Sequence, residues 1–374
     1  MQLVNVTDEN TTNNYKFKRY QGRPFHRITP GNVRDQLQIF SDFRCREGDV
    51  MLCTFPRSGS HWVYNTIQML RSGTLTYSGT PIVADFEDLD LIEHMEAPRT
   101  FLTHFTFPFI PTEAKKGIPK IIFVSRNPKD VLVSYYHFLD NMVQTDFEGD
   151  FNFFMKFFLS EEFFVSGGSW FTYMKEWEDG RKLYPDMRIL SIRYEDFKKD
   201  TINFLVKLAD FLEVKRDNAF LKEVEKNITF EHLKEDHTKV AGESERWSVV
   251  NKQGRVPIYR KGKIGDWKNM FTVAQNEYFN AKFREKMAGY DLDFQYQFIV
   301  LLNPLGGVML SPSNLDRSSL TVQFLRFMTI PCMFYSHVIH SSMNPKVTVT
   351  RYCDVVVCSS FTPPGLTTPA TGHD

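Results

Sequence analysis

The chain has 374 residues, 45 of them Lys or Arg and 45 Asp or Glu, with 42% hydrophobic and 15% aromatic content. That composition excludes a disordered or fibrous chain and is enough to bury a sizeable core. Cancelled charge leaves no global field toward nucleic acid or an anionic membrane, so any affinity for anions has to be local.

Five cysteines, Cys45, Cys53, Cys332, Cys353 and Cys358, are few, odd in number and free of Cys-x-x-Cys spacing. Neither a disulfide framework nor a zinc site fits them, and no metal is expected. The opening stretch lacks the basic-then-apolar order of a signal peptide, and no apolar run reaches membrane-spanning length. A cytoplasmic protein without membrane association is expected.

Residues 1–17 read as an N-terminal arm, and the polar lead-in to about residue 48 carries a short helix near Val33 to Phe43. The stretch Val50-Met-Leu-Cys-Thr-Phe-Pro-Arg-Ser-Gly-Ser-His-Trp62 then reads as a buried strand, a short polar loop and a helix. Arg57, Ser58, Gly59, Ser60 and His61 fall at the helix N-terminus, where free N–H groups and the helix dipole favour an anion. A strand–turn–helix junction with no ligand is equally compatible. Gly-x-x-x-x-Gly-Lys-Ser/Thr is absent, so magnesium-dependent ATP turnover by a P-loop kinase is a weaker reading.

Pro98 to Phe105 reads as a strand delivering His104 at its end, a position open to structural as well as catalytic use. Lys120 to Arg126 is an apolar strand running into Asn127-Pro-Lys-Asp130, a helix start with Asn127 as N-cap and Pro128 in the first helical position. Arg126 and Ser134 can share the carboxyl edge of the sheet, where open α/β sheets bind ligands, or be a solvated arginine and a helix serine. Most of the Phe-rich stretch from Phe147 to Phe164 is expected in the core.

Met187 to Tyr194 is a fourth strand, followed by a helix with Ile202, Leu205, Leu208, Ala209 and Leu212 on one face. Glu235 to Gly254 reads as a polar surface loop, and Arg260-Lys-Gly-Lys-Ile-Gly-Asp-Trp-Lys268 as a cationic loop able to enclose an oxyanion. Thr272-Val-Ala-Gln275 opens a helix with a capping box. Beyond residue 297 prolines break short apolar pieces, and 298–374 reads as a disordered or loosely packed extension. Alternating strands and helices through 18–297 argue an α/β fold with a central parallel sheet covered by helices on both faces.

In this order, Phe55 to Trp62, Thr103-His104, Arg126 to Phe138, Tyr194-Glu-Asp and Arg260 to Asn269 resemble the cytosolic sulfotransferase family. The resemblance spans roughly residues 18–294. It implies a three-layer, P-loop-like domain transferring a sulfonate from 3′-phosphoadenylyl sulfate (PAPS) to a hydroxyl or amine of a small, apolar or aromatic acceptor. By that likeness the opening loop takes the 5′-phosphosulfate, and Arg126, Ser134, Arg260, Lys261 and Gly262 take the 3′-phosphate. Trp62, Tyr194, Thr229 and Phe230 match positions around the adenine, His104 matches the general base, and Arg57 stands beside the leaving phosphate. The family usually has lysine at Arg57 and often at Leu102, which keeps open a nucleotide-binding protein of the same fold with weak or no turnover. Lys268, Thr272, Val273 and Glu277 match the family's short dimer motif, implying a weak homodimer.

Overall fold

The computed structural model describes residues 2–7, 14–26, 29, 31–141, 147, 149–163, 165–240 and 258–290, and four short strands beyond residue 300. These belong to two compact units, residues 1–293 and 294–374.

The polar lead-in is a sheet rather than an arm: β1 (Gln2–Thr7), β2 (Asn14–Tyr20) and β3 (Arg23–His26) pair antiparallel. Among its described side chains Phe17 and Phe25 anchor it, both fully buried. Arg23 fixes it to the rest of the unit, donating to the Gly167 carbonyl at 3.2 Å and pairing with Glu176 at 2.5 Å. Helix α1 (Val33–Ser41) follows where expected, capped by Asn32, whose Oδ1 accepts from the Arg34 N–H at 3.0 Å.

Strands β4 (Val50–Thr54), β5 (Thr100–Thr103), β6 (Lys120–Ser125) and β7 (Ile189–Arg193) form one parallel sheet in the order β5-β4-β6-β7. Every residue of β4, β5 and β6 is buried, the reason their sequences are continuous rather than alternating. The connecting helices are α2 (Ser60–Ser72), α3 (Asp90–Glu93), α4 (Thr112–Lys115), α5 (Pro128–Asn141), α6 (Phe151–Phe158) and α7 (Trp170–Leu183). After β7 come α8 (Tyr194–Lys199), α9 (Thr201–Leu212), α10 (Asn218–Asn227), α11 (Phe230–Val240) and α12 (Val273–Lys286).

One sheet face packs Val50, Leu52, Ile122 and Val124 against Val63, Ile67 and Leu70 of α2 and Leu205, Leu208 and Leu212 of α9. Each such side chain contributes about 1.5–3 kcal/mol by leaving water. On the other face Phe123 lies 5.9 Å from Tyr173 and 5.0 Å from Trp177 of α7, and Phe101 meets Phe43 at 5.6 Å. The fold is thus the expected three-layer α/β arrangement. Within the aromatic stretch Phe147, Phe154, Phe157, Phe158 and Phe163 are buried, while Phe164 lies outside the described residues.

One expectation changes. Helix α11 runs to Val240, into the segment read as a loop, because Leu233 and His237 are buried one turn apart and the Tyr77 hydroxyl bonds His237 Nδ1 at 3.1 Å. The remainder of that segment, 241–254, lies outside the described residues. In the second unit β8 (Leu301–Leu302) pairs antiparallel with β9 (Val308–Met309), and β10 (Leu320–Gln323) pairs parallel with β11 (Val347–Thr350). The rest of the extension lies outside the described residues.

At the amino edge of the central sheet Arg99 donates to both oxygens of Asp49, at 3.1 and 2.6 Å, with neither side chain exposed. Asp49→Ala leaves a buried guanidinium without its main counter-charge and is expected to lower unfolding free energy by about 3–5 kcal/mol. Urea denaturation checks this, and a loss below about 1 kcal/mol would contradict the assignment.

Candidate functional site

Strand β4 lies between β5 and β6, so the loops leaving its neighbours diverge and open a crevice at its carboxyl end. The loop after β4 turns tightly, the Ser58 N–H bonding the Phe55 carbonyl at 3.2 Å. Arg57 (φ 69°) and Gly59 (φ 101°) both take left-handed backbone before α2 begins at Ser60. A Cβ on Gly59 would stand 2.8 Å from the Tyr194 ring, so glycine is required by space as well as by φ. The Ser58 hydroxyl and the Nδ1 of His61 are buried without a hydrogen-bond partner.

Arg126, one residue past β6, donates to the Arg57 carbonyl at 2.8 Å and the Lys263 carbonyl at 3.3 Å, and lies 4.4 Å over the Tyr194 ring. Its Nε is buried without a partner. Ser134 accepts from Arg57 Nε at 3.2 Å; Arg57 also donates to the Ile258 carbonyl at 3.0 Å and lies 4.5 Å over the Phe138 ring. The cationic loop folds back over this group. Arg260 and Lys261 pair with Asp266 at 2.6 and 3.0 Å, and Gly262 faces Phe230 so closely that a Cβ would collide with its ring. Burial raises the Asp266 carboxyl, but hydrogen bonds from Arg260, Lys261 and Asn269 outweigh that and hold it below the usual carboxylate range.

The same helix start that follows β6 holds the loop. Asp130 accepts from the backbone N–H of Gly265 at 2.7 Å and of Trp267 at 3.1 Å. Lys129 sits 4.3 Å over the Trp267 ring and donates to Asn276 at 2.6 Å; burial draws its ammonium down to about 7.

These elements enclose a cleft at the carboxyl end of the sheet. Arg57, Arg126, Lys198, Arg260, Lys261 and Lys263 line it, and none of its lining residues is a carboxylate. Burial, then the neighbouring Arg126 and Arg260, lowers the Arg57 guanidinium to about 9. Of the residues expected here, Gly59, Ser60, His61, Trp62, Ser134, Tyr194, Phe230 and Gly262 line the same cleft. Ser58 lies beneath it, and Thr229 is exposed at the start of α11, its hydroxyl 3.0 Å from His232 Nδ1. Sequence reading missed Lys198 and Tyr259, which belong to no motif, and named Lys263 only as part of the cationic loop; Lys198 follows the Tyr-Glu-Asp signal by two residues and is set 5.5 Å over Trp62.

His104 stands just beyond β5, buried, and reaches the cleft through one hydroxyl. Thr54 Oγ1 is 2.7 Å from Ser60 Oγ and 3.3 Å from His104 Nδ1. His104 Nδ1 donates to the Thr54 carbonyl at 2.6 Å, which fixes the tautomer and leaves Nε2 as a proton acceptor. Asp85, absent from the sequence reading because it lies in an irregular acidic stretch, accepts from the His104 N–H at 3.0 Å and from Thr103 Oγ1 at 2.8 Å. Burial lowers the imidazole below its ordinary value, opposed by Asp85 and the Thr54 carbonyl.

The sulfotransferase domain family matches residues 47–291 of this chain, the stretch that builds the sheet, the cleft and the loop over it. The chain belongs to the sulfotransferase family. Sulfotransferase 1C2 of Rattus norvegicus is 31% identical over 292 residues, covering 75% of this chain and 95% of the relative. Amine sulfotransferase of Oryctolagus cuniculus is 31% identical over 271 residues, covering 69% of this chain and 87% of the relative. Among solved structures, mouse sulfotransferase SULT7A1 complexed with PAP aligns with a TM-score of 0.60 at 26% identity, covering 74% of this chain and 95% of that one. By class the protein is a PAPS-dependent sulfotransferase.

This sulfotransferase carries Leu102 wholly inside the sheet, its N–H bonded to the Ile82 carbonyl at 2.9 Å, so no cation stands two residues before His104. Thr272 caps α12 as expected, with Gln275 completing the reciprocal pair, and the neighbouring Val273 is 63% exposed. Asp130→Ala removes both acceptors that pin the cationic loop and is expected to raise amide exchange at Gly265 and Trp267 by at least tenfold. Hydrogen exchange with unchanged protection there would show that the loop is held by other contacts.

Proposed function

We propose that the chain moves a sulfonate from PAPS to a hydroxyl or amine of a small apolar or aromatic acceptor, with His104 as general base. The observation that carries this reading is the cleft itself: six cations and no carboxylate, joined to a buried imidazole by the Thr54–Ser60 hydroxyl pair. Such a set is costly to assemble without a ligand of several negative charges. PAPS supplies the sulfonate and two phosphates. Ser58, Gly59, Ser60 and His61, at the α2 N-terminus, suit its 5′ end. Arg126, Ser134, Arg260, Lys261 and Gly262 suit the 3′-phosphate, and Trp62, Tyr194 and Phe230 the adenine, with Thr229 exposed beside Phe230 as the remaining adenine candidate. Arg57 stands between the two phosphate sites and stabilises the departing phosphate.

His104 Nε2 takes the acceptor proton as the acceptor oxygen or nitrogen attacks sulfur, while the positive groups of the cleft hold the phosphate that leaves. Charge balance is met by side chains and helix-end N–H groups, so the reading requires no metal. Phe86, 5.9 Å from the His104 ring, gives the acceptor an aromatic neighbour, and the amine sulfotransferase likeness makes nitrogen acceptors worth including.

One observation favours a second reading, a nucleotide-binding protein with little turnover. Arg57 is engaged by Ser134 and the Ile258 carbonyl, and Leu102 offers no replacement cation. Incubation with PAPS and a panel of phenols, steroids, alcohols and amines decides between the two. Sulfonated product from the native chain is expected, and His104→Ala should lower its rate by about 10²–10⁴ while binding of adenosine 3′,5′-bisphosphate persists. Because the neutral imidazole is the base and is held low, kcat/KM for the acceptor at saturating PAPS should rise with pH through a midpoint below about 6.5 and be flat at neutral pH. Bisphosphate binding without product from any acceptor would leave the second reading standing.

The Lys268, Thr272, Val273 and Glu277 surface supports a weak homodimer, since so short a patch buries far less than a standard interface. Sedimentation of the native chain should show concentration-dependent dimer, and Val273→Glu should shift it to monomer. An unchanged distribution would remove this surface from consideration.

A further inference from the structure

The reading of the cleft as a PAPS site, on which this inference rests, leaves the ionisation of one histidine in its wall unused. His61 is the second residue of α2, its carbonyl accepting from Asn65 at 2.9 Å, with its imidazole in the wall of the cleft. Nδ1 is buried without a partner, and the ring meets Tyr259 edge-on at 6.5 Å. The groups around it come from every neighbouring element: Arg57 from the preceding loop, His104 from the end of β5, His237 from α11, and Tyr259 and Arg260 from the cationic loop. None is a carboxylate. A polar ring in that setting is held neutral, its proton affinity cut first by burial and then by His237, Arg57 and His104. An anion placed at the α2 N-terminus reverses the sign of the local field.

We propose that His61 is a second histidine of the reaction, neutral in the empty cleft, which takes up one proton as the 5′-phosphate end of the cofactor enters and is the cation against which the phosphate leaves. In the transfer the bond from acceptor atom to sulfur forms and the bond from sulfur to phosphate oxygen breaks. The electron pair stays on the phosphate oxygen, the acceptor proton moves to His104 Nε2, and His61 keeps its own proton and donates a hydrogen bond to the phosphate. The role answers a specific gap: Leu102 leaves the His104 side of the site without a cation, and Arg57 alone is shared with Ser134 and Ile258. A histidine charged by the ligand restores that charge only when there is something to neutralise.

The test is calorimetry of adenosine 3′,5′-bisphosphate binding near pH 7 in two buffers of different ionisation enthalpy. The difference between the native chain and His61→Asn, in which the ligand's own ionisation cancels, should be close to one proton taken up. His104→Asn should keep that uptake. Equal proton counts in native and His61→Asn proteins would overturn the proposal, whereas failure of the native chain to bind bisphosphate would overturn the PAPS reading instead. Should His61→Asn bind too weakly to measure, the His61 ring resonance in the native chain, assigned by its loss from the variant, is followed on adding bisphosphate. Movement to the imidazolium position is expected, and a resonance that stays at the neutral position sinks the idea. In turnover, His61→Asn should lower kcat by about 10- to 100-fold and abolish the alkaline limb of its pH profile while the acid limb set by His104 remains.

Discussion

The register of three parallel strands is the constraint on which the site depends. Val50 stands beside both Thr100 and Lys120, and Cys53 beside both Thr103 and Phe123, so β4, β5 and β6 end almost level. Thr54 is the last residue of β4, and His104 and Arg126 are the first residues past β5 and β6 at that edge. No loop has to reach far to bring them together. A slip of one residue in either pairing would turn the side chains of a strand to the opposite face and separate the imidazole from the hydroxyl it now meets. Because both faces of the sheet are packed, with α2 and α9 on one side and α7 on the other, such slips are strongly disfavoured.

Electrostatics divides into two tiers. The inner tier, facing the cleft, is cationic throughout; the outer tier contains the acids that make it bearable. Asp266 pairs with Arg260 and Lys261, Asp130 binds the loop backbone, and Asp85 holds the His104 main chain without touching its ring. Each acid acts from behind, so the cations keep their charge and orientation without presenting a carboxylate to an anion. The protein thereby holds its positive groups in place through its own contacts, the preorganisation that electrostatic stabilisation of an anion requires.

Sequence pattern and structure agree most closely where geometry is local. The strand ends, the Asn127–Pro128 helix start and the Thr272 capping box depend on residues within a few positions of one another, and all are where their spacing puts them. The antiparallel β1–β3 sheet was not legible, because its stability comes from Phe17, Phe25 and distant partners of Arg23 rather than from its own alternation. Helix α11 was hidden by its polarity: a helix needs few buried residues when His237 can satisfy a tyrosine hydroxyl from across the fold. In the site, Lys198 and Asp85 carry no motif and are brought in only by packing, whereas Arg57, Arg126 and Ser134 were visible because motif and strand end coincide.

Arg57 has a further meaning. At φ 69° it occupies backbone that side chains with a Cβ adopt at a cost of about 1–3 kcal/mol, beside a glycine that adopts such backbone freely. Glycine at 57 would relax the turn and remove a guanidinium from among its own kind, so the fold would gain on both counts. The position is therefore one at which selection for robustness and selection for chemistry point in opposite directions.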